Sequence, residues 1–470
     1  MWLTIDKSIN ISLIRQVYGQ IKSMILEGNL LEGNKLPSTR GLSENLKVSR
    51  NVILEAYDQL IAEGYIESRR GSGTIVAKGL YLKKSETKAE NNLLSYDHKR
   101  AESNLIDFRS GIPALDIFPQ KEWGGLYNKI CSHADYSAFR YCGPEGIMEL
   151  RQALSKYLFR VRGISCTPEQ IMIISGSTQG LSLISKLLYS PGAEIVVEDP
   201  IHYGLLNVIS SCGYSINPIP VDIKGIRTDM LKTDNKVGFV YVTPSHQFPL
   251  GGVLPIQRRI ELIRFAEKKD CYIVEDDYDS EFRYEGQPIS SLYELEVNRV
   301  IYVGSFSKIL APALRLGYMI IPASLKSKYL KLKMYTDVHT ESLSQLVLAK
   351  FINGGKLEKH IWKMKKEYYK KRQALLNSLS INFPDEYVIK GHAAGLHLVA
   401  EFKNISFTAE VLKKITQQKV VVYPVEKYAI HKGRHSNKII LGYGHLSIEE
   451  ITEGIRRIKE GIGTINTKQS

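Results

Sequence analysis

Apolar positions set out the first eighty residues as helices followed by a hairpin. Ile14, Val17, Ile21, Met24 and Ile25 recur at three- and four-residue spacing, which predicts an amphipathic helix from about Ile11 to Leu26. Glu27-Gly28-Asn29 supplies its stop. Pro37-Ser38-Thr39-Arg40 opens a second, short helix with Ser38 as its N-cap and Leu42 and Leu46 on its buried face. Lys47-Val48-Ser49 is a tight connection to a third helix, marked by Val52, Tyr57, Leu60 and Ile61 and closed by Gly64. Two runs, Tyr65 to Ser68 and Thr74 to Ala77, then flank Arg69-Arg70-Gly71-Ser72-Gly73, a hairpin with a basic, glycine-rich tip.

This order is that of a winged helix-turn-helix, an α+β unit over 1–78. Ser49, Arg50 and Asn51 stand at the start of the third helix, the end that faces base edges in the major groove. Arg and Asn there have the geometry to read guanine and adenine bidentately. Arg69 and Arg70 in the hairpin suit phosphates or the minor groove.

The pattern is then interrupted. From 79 to 105 apolar residues are few and unperiodic, and Lys83 to Asn92 is polar and charged, so this stretch reads as a flexible linker. Beyond it, over 106–470, short runs rich in β-branched and aromatic residues alternate with helical stretches such as Gln257–Lys268. The runs are Glu194–Val197, Val237–Val242, Cys271–Val274 and Val300–Val303. That alternation predicts an α/β domain with a mostly parallel sheet between helices.

Ligands bind such sheets beyond the carboxyl ends of the strands, and the chemically marked residues fall there. Asp276 and Tyr278 end one strand, Ser305, Ser307 and Lys308 end another, and His246 and Gln247 follow a third. Together they are the groups that hold pyridoxal phosphate. Lys308 supplies an amine for a Schiff base with the cofactor aldehyde. Asp276 supplies a carboxylate that keeps the pyridine nitrogen protonated. Tyr278 supplies a hydrogen bond to the ring oxygen. Ser175 to Gly180, ahead of the apolar helix Leu181–Leu188, offers helix N-terminal N–H groups to a phosphate, and Ser305, Ser307 and Arg315 add hydroxyls and a cation.

Two resemblances sharpen these expectations. Leu36 to Arg40, Leu42 to Val52, Ala56 to Leu60 and Glu63 to Ile66 resemble the GntR-type winged helix. That resemblance implies DNA contacts from Arg40, Ser49, Arg50, Asn51 and Gly71 through Thr74, Gly73 included. The remainder, 106–470, resembles fold-type-I aminotransferases, which implies a smaller subdomain over roughly 330–470. Pro244 to Pro249, Glu275 to Phe282, Phe306-Ser307-Lys308 and Ala394 to His397 resemble the MocR/GabR subfamily of GntR regulators in particular. The resemblance implies Lys308 as the Schiff-base lysine, Asp276 at the ring nitrogen and Tyr278 at the ring oxygen. Gln247 or His246 would stand near the usual asparagine. Ser177, Thr178, Gln179, Ser305 and Arg315 would take the phosphate, and Tyr141 would reach it across a dimer interface.

Two departures bear on the ligand. Pro200-Ile201-His202-Tyr203 stands where the family has Pro-Gly-Tyr, so His202, or Tyr203 if the turn shifts, would stack on the ring. Gly442-Tyr443-Gly444-His445 stands where some relatives carry a carboxylate-binding arginine, and a histidine is a weaker anion clamp. Arg434, with His431 and His435, lies in the polar loop upstream as a substitute.

Bulk properties change this picture little. Across 470 residues the chain is 43% hydrophobic and 24% charged, as in ordinary globular proteins. A net charge of +14 favours polyanion partners. Much of the surplus lies between Lys326 and Arg372, which reads first as a solvated helix face. Five scattered cysteines without a CxxC pair argue against a disulfide framework or a metal site and for the reducing cytoplasm. Neither a signal peptide nor a membrane-spanning run is expected. The expected protein is therefore a homodimeric transcriptional regulator, binding an operator in double-stranded DNA. It would sense an amine-bearing small molecule or a vitamin B6 form through Lys308. A catalytically active aminotransferase with an appended winged helix is the alternative.

Overall fold

The computed structural model describes residues 3–69, 73–80, 104–287 and 289–466, so most of the expected linker, with Arg70 and Gly71, lies outside the described residues. The chain divides into two compact units, Met1–His98 and Lys99–Ser470.

In the first unit the helices run Leu13–Leu26, Thr39–Leu46 and Arg50–Ala62. Ser12 and Ser38 cap the first two, their hydroxyls accepting from the N–H of Arg15 (3.3 Å) and Gly41 (3.1 Å). Lys47, in the left-handed region at φ 53°, makes the tight turn between the second and third helices. The periodic apolar residues meet as expected: Val17, Ile21, Ile25, Leu42, Ile53, Tyr57 and Leu60 form one core with Ile66 and Val76 of the hairpin. Tyr57 adds a hydrogen bond from its hydroxyl to the Pro37 carbonyl at 2.9 Å, tying the third helix to the turn before the second. The hairpin pairs Ile66–Arg69 with Gly73–Val76, and Lys35 bridges to Ile75 on its outer side.

The second unit is built on an eight-stranded sheet. Five neighbours are parallel, in the order Val300–Ser305, Tyr272–Asp277, Val237–Val242, Glu194–Asp199 and Ser215–Asp222. Antiparallel Gly317–Ile320 and then Ile171–Ile174 extend one edge, and Gly225–Ile226 ends the other. Alternation along the strands feeds two cores. Val196, Val240, Ile273 and Tyr302 pack towards helices Met148–Arg162 and Ile256–Lys269, while Val197, Tyr241, Val274 and Ile301 pack towards Ser177–Leu187 and Tyr329. A second sheet, antiparallel, orders Tyr387–Lys390, His397–Phe402, Lys438–Gly442 and Tyr423–Pro424. The start of this unit forms a separate two-stranded sheet, in which Ile106–Asp107 pairs in parallel with Val420–Val421. Among the described residues no helix is long and apolar enough to cross a membrane.

Candidate functional site

The third helix of the first unit starts at Ser49, whose backbone is extended (φ −64°, ψ 148°) and whose side chain makes no capping bond. Its hydroxyl is therefore not committed to the helix end. Ser49, Arg50 and Asn51 are all exposed. Arg50 leans on Thr39 Oγ1 at 3.4 Å, and Arg40 pairs with Glu44 at 3.1 Å on the surface. In the hairpin, Arg69 lies 3.4 Å from Glu67, Gly73 holds φ +85°, and Thr74 is half-buried. Lys35, which sequence reasoning did not single out, brings another cation beside this wing: a Cβ on Gly73 would meet its side chain at 3.5 Å.

In the second unit, register places Asp276 beside Val303 on adjacent parallel strands. Alternation then separates the neighbouring carboxylates. Glu275 turns to one face and accepts from the N–H groups of Leu292 and Tyr293, each at 3.0 Å. Asp277 shares that direction and is saturated by Arg162 (2.7 Å), Tyr302 (2.5 Å) and Ser280 (2.8 Å). Asp276 points the other way. Its Oδ2 accepts from the Tyr241 hydroxyl at 2.6 Å, and its Oδ1 is buried with no partner. Burial pushes this carboxyl up to about 6, against the Tyr241 hydrogen bond and the Lys308 ammonium. Lys308 follows the neighbouring strand, and its Nζ donates to the Gly111 carbonyl. Gly111 sits at φ +78°, and a Cβ there would fall 2.8 Å from that nitrogen. Burial holds the Lys308 amine below its ordinary range, opposed by Asp279 and Asp276.

Tyr278 is tied into a group the sequence only partly disclosed. Its hydroxyl donates to the His246 carbonyl at 3.0 Å and lies 3.1 Å from His246 Nδ1. That nitrogen faces Asp279 Oδ2 at 2.9 Å, with both side chains 2% exposed. The carboxylate outweighs burial and holds the His246 imidazole above its ordinary range. Gln247 is fully buried and its amide is spent within the protein. It donates to the carbonyls of Pro200 (3.0 Å) and Phe248 (2.5 Å) and accepts from Leu250 N–H (3.1 Å). His202 lies over Phe248 at 5.4 Å between ring centres and near Tyr428 at 6.3 Å, while Tyr203 is exposed.

The helix Ser177–Leu187 begins at Gly176, φ +89°. Its first-turn N–H groups, from Ser177 and Thr178, have no preceding helical carbonyl to bond. Arg315, left-handed at φ 48°, donates from Nη2 to the Ser175 carbonyl at 2.6 Å, and a Cβ on Gly176 would lie 2.7 Å from that same nitrogen. Gln179 spends its side chain on the turn, accepting from Ser175 N–H at 2.7 Å and donating to Asp337 at 2.6 Å. Ser305 Oγ accepts from Ser307 N–H at 3.1 Å. Arg315 and the first-turn amides of Ser177 and Thr178 thus stand at one helix start, an arrangement that suits an anion.

Tyr141 is 86% exposed, edge-on to His339 at 5.8 Å. Burial keeps the His445 imidazole below the ordinary range, opposed by Asp107, and its Nδ1 has no partner among the described residues. Arg434 is exposed, its carbonyl taking Lys438 Nζ at 2.9 Å. Arg109, two residues before Gly111, was not singled out from sequence. It donates to the Tyr423 hydroxyl at 3.2 Å and keeps 60% of its side chain exposed. The signal available for it was the run Phe108-Arg109-Ser110-Gly111-Ile112-Pro113.

Buried acids give the protein an unusual pH response. Burial pushes Glu198, Glu275 and Glu281 up to about 7, and Asp276 to about 6. For each, the folded chain holds a proton that the unfolded chain has released, so this stability is lost as pH climbs from the free carboxyl range of about 4 up to the raised value. Buried imidazoles act in the opposite sense: His397 is held down to about 3, and His360 and His445 are also lowered. Their contribution is lost as pH falls below the free value of about 6.5. As the pH is lowered from 8 to about 6.5, before free imidazoles take up protons, the melting temperature without cofactor is therefore expected to rise. A steady decline between pH 8 and 6.5 in scanning calorimetry would contradict this.

Comparison with known proteins agrees with the two units. Residues 13–76 match the model for bacterial regulatory proteins of the gntR family, and residues 103–458 match aminotransferase class I and II. The chain is 34% identical to the HTH-type transcriptional regulator YdeL of Bacillus subtilis, over 97% of this chain and 98% of that protein. It is 31% identical to the probable rhizopine catabolism regulatory protein MocR of Rhizobium meliloti, over 97% and 95%. Among solved structures, Pyrococcus horikoshii kynurenine aminotransferase, crystallised with PMP, superposes with a TM-score of 0.71 at 30% identity. It covers 77% of this chain and 92% of that one.

Proposed function

The chain belongs to the GntR-family transcriptional regulators of the MocR type, a winged helix joined to an aminotransferase class I/II body, and from that premise we propose that its body binds pyridoxal phosphate and senses a ligand at Lys308. The observation that carries this is the buried, unpartnered Oδ1 of Asp276. A buried carboxylate oxygen without a donor is costly, and a protonated pyridine nitrogen satisfies it and keeps the acid ionised. Lys308 is the amine for the cofactor aldehyde, and Arg315, Ser305, Ser307 and the amides of Ser177 and Thr178 take the phosphate. Tyr278, braced by His246 and Asp279, is placed for the ring oxygen. Gln247 shapes the loop beneath, and His202 covers the ring. The bound cofactor supplies an aldehyde that exchanges one amine for another.

That exchange makes the body a sensor. An amine-bearing small molecule, or the vitamin B6 form itself, changes whether Lys308 is covalently engaged. A released Lys308 carries its charge among Asp276, Asp279 and the Gly111 carbonyl, and such a change of state can bias a conformational equilibrium. Arg109, exposed at the end of the segment that contacts Lys308, is better suited than buried, neutral His445 to meet a carboxylate on the ligand. A second copy of the chain fits the face around Tyr141. Tyr136 and Tyr141, close in the chain, are both 86% exposed, and large apolar surface is seldom left uncovered on soluble monomers. Five free cysteines, one of them buried, suit the cytoplasm.

The DNA reading is tested separately. Arg50→Ala is expected to weaken binding to a selected operator duplex by about 1–3 kcal/mol, with sequence preference relaxed at one base pair and cofactor uptake unchanged. An unaltered footprint removes Arg50 from the reading set. Transamination of common amino acids is expected to be slow, and rapid turnover in a keto-acid assay would favour an enzyme instead.

A further inference from the structure

The turn before the helix Ser177–Leu187 is held by a chain of hydrogen bonds that starts from a buried ion pair. Lys333 lies on the helix Lys326–Asp337, and its side chain has no exposure. Its Nζ donates to both carboxylate oxygens of Asp337 at 2.9 Å. Burial lowers the Lys333 ammonium from its ordinary range, opposed by Asp337. An apolar side chain would fill that space without the cost of desolvating a charge. What the pair supplies instead is a carboxylate fixed in position, with acceptor capacity left over.

That capacity goes to Gln179. Its Nε2 donates to Asp337 Oδ2 at 2.6 Å, and its Oε1 accepts from the Ser175 N–H at 2.7 Å. The two ends of an amide differ in kind, since the NH2 only donates and the carbonyl only accepts. A carboxylate on one side therefore decides which end of Gln179 turns to Ser175. Ser175 in turn offers its carbonyl to Arg315 Nη2 at 2.6 Å. Donors and acceptors thus run in one fixed order from Lys333 to Arg315.

The far side of Asp337 is pinned as well. Val338 follows it at φ 63° and ψ −66°, a region that β-branched residues rarely enter. Such strain persists only where the surroundings over-determine the backbone. Both flanks of Val338 are tied to the same strand end. Asp337 reaches Ser175 through Gln179, and the Thr340 hydroxyl donates to the Ile173 carbonyl at 3.2 Å. Gln345 adds a bond to the Thr340 carbonyl at 2.8 Å.

We propose that Lys333 and Asp337 are positioning residues for the cofactor phosphate, an assignment that rests on the cofactor binding proposed above. They orient Gln179, and through it the Ser175 turn and Arg315. Lys333, inaccessible and bonded to Asp337, acts without reaching the phosphate.

Pyridoxal carries the aldehyde but a hydroxyl in place of the phosphate, so it separates the two halves of the site. Full-length parent and variants, freed of cofactor, are titrated with pyridoxal phosphate and with pyridoxal while visible absorption is followed. The parent is expected to prefer the phosphate ester. Lys333→Met keeps the stem and removes the donor. It should weaken pyridoxal phosphate about tenfold and leave pyridoxal within about twofold of the parent. Gln179→Glu keeps the ion pair but sets a second carboxylate against Asp337, and it should show the same signature. Equal weakening of both ligands makes these residues structural only and overturns the assignment. Unchanged affinity for pyridoxal phosphate overturns it too. If Lys333→Met does not fold, Gln179→Glu decides alone. A parent that takes up neither ligand refutes cofactor binding itself and the assignment with it, a result distinct from a parent that binds normally beside unaltered variants.

Discussion

Lys308→Ala is expected to purify without the visible absorption of the parent protein and to lose added pyridoxal phosphate on desalting, retaining at least tenfold less. No covalent link can form on alanine, and hydrogen bonds from the phosphate cradle alone hold a ligand reversibly. The variant should remain folded, because Lys308 is packed through its stem and its amine meets a carbonyl rather than a saturated ion pair. Lys308→Arg separates charge from chemistry. It keeps a cation near Asp276 and Asp279 but offers no amine for the aldehyde, so it too should be colourless. A variant as coloured as the parent would move the covalent site elsewhere and remove the basis for sensing at this position. Operator binding by the same variant, with and without candidate amines, then reports whether the covalent state is what the DNA-binding unit responds to.

The start of this molecule was the most legible part of its sequence. The first helix is read from Ile14, Val17, Ile21 and Ile25, and its observed span, Leu13–Leu26, differs at one end by two residues. Local rules suffice there, because caps, periods and turns act over a few residues. The central strands were legible for the same reason, and Val237–Val242 has the expected bounds. Ser215–Asp222 was not, since Pro218 and Pro220 lack the donors that a strand normally offers. It survives near the sheet edge. Gly317–Ile320 and Ile171–Ile174, four residues each, are too short to show a period.

At the site, sequence order gave residue types but not their surroundings. That Asp276 rather than Asp277 keeps a free oxygen follows from strand alternation together with Arg162, more than a hundred positions earlier. His246 and Asp279, or Gly111 and Lys308, are likewise partners only through the fold. Gln247 illustrates the converse. Its type invited a contact with the ring, whereas three bonds to its own loop define its surroundings.

The dependence of the site on Arg162 yields the largest expected loss of stability. Arg162 ends the helix Met148–Arg162 and reaches Asp277 at 2.7 Å, with further bonds to the Ile289 carbonyl (3.2 Å) and Ser245 Oγ (3.4 Å). Both partners of the pair are nearly inaccessible, at 6% and 2% of the side chain. Arg162→Met keeps the stem and removes the charge, stranding Asp277 beside Glu275 and Glu281. Breaking a buried pair in this way costs about 3–5 kcal/mol. Removing both charges costs less, because the penalty lies in the unpaired survivor. Arg162→Met/Asp277→Asn should therefore recover part of the loss, and the two substitutions should be strongly non-additive in denaturant unfolding of the cofactor-loaded protein. The single variant should also bind cofactor more weakly, since Asp277 precedes Tyr278 and follows Asp276 on the same strand end. A single variant within 1 kcal/mol of the parent, or a double variant no more stable than the single, would show that Asp277 does not depend on this cation and that Asp276 is positioned by the strand alone.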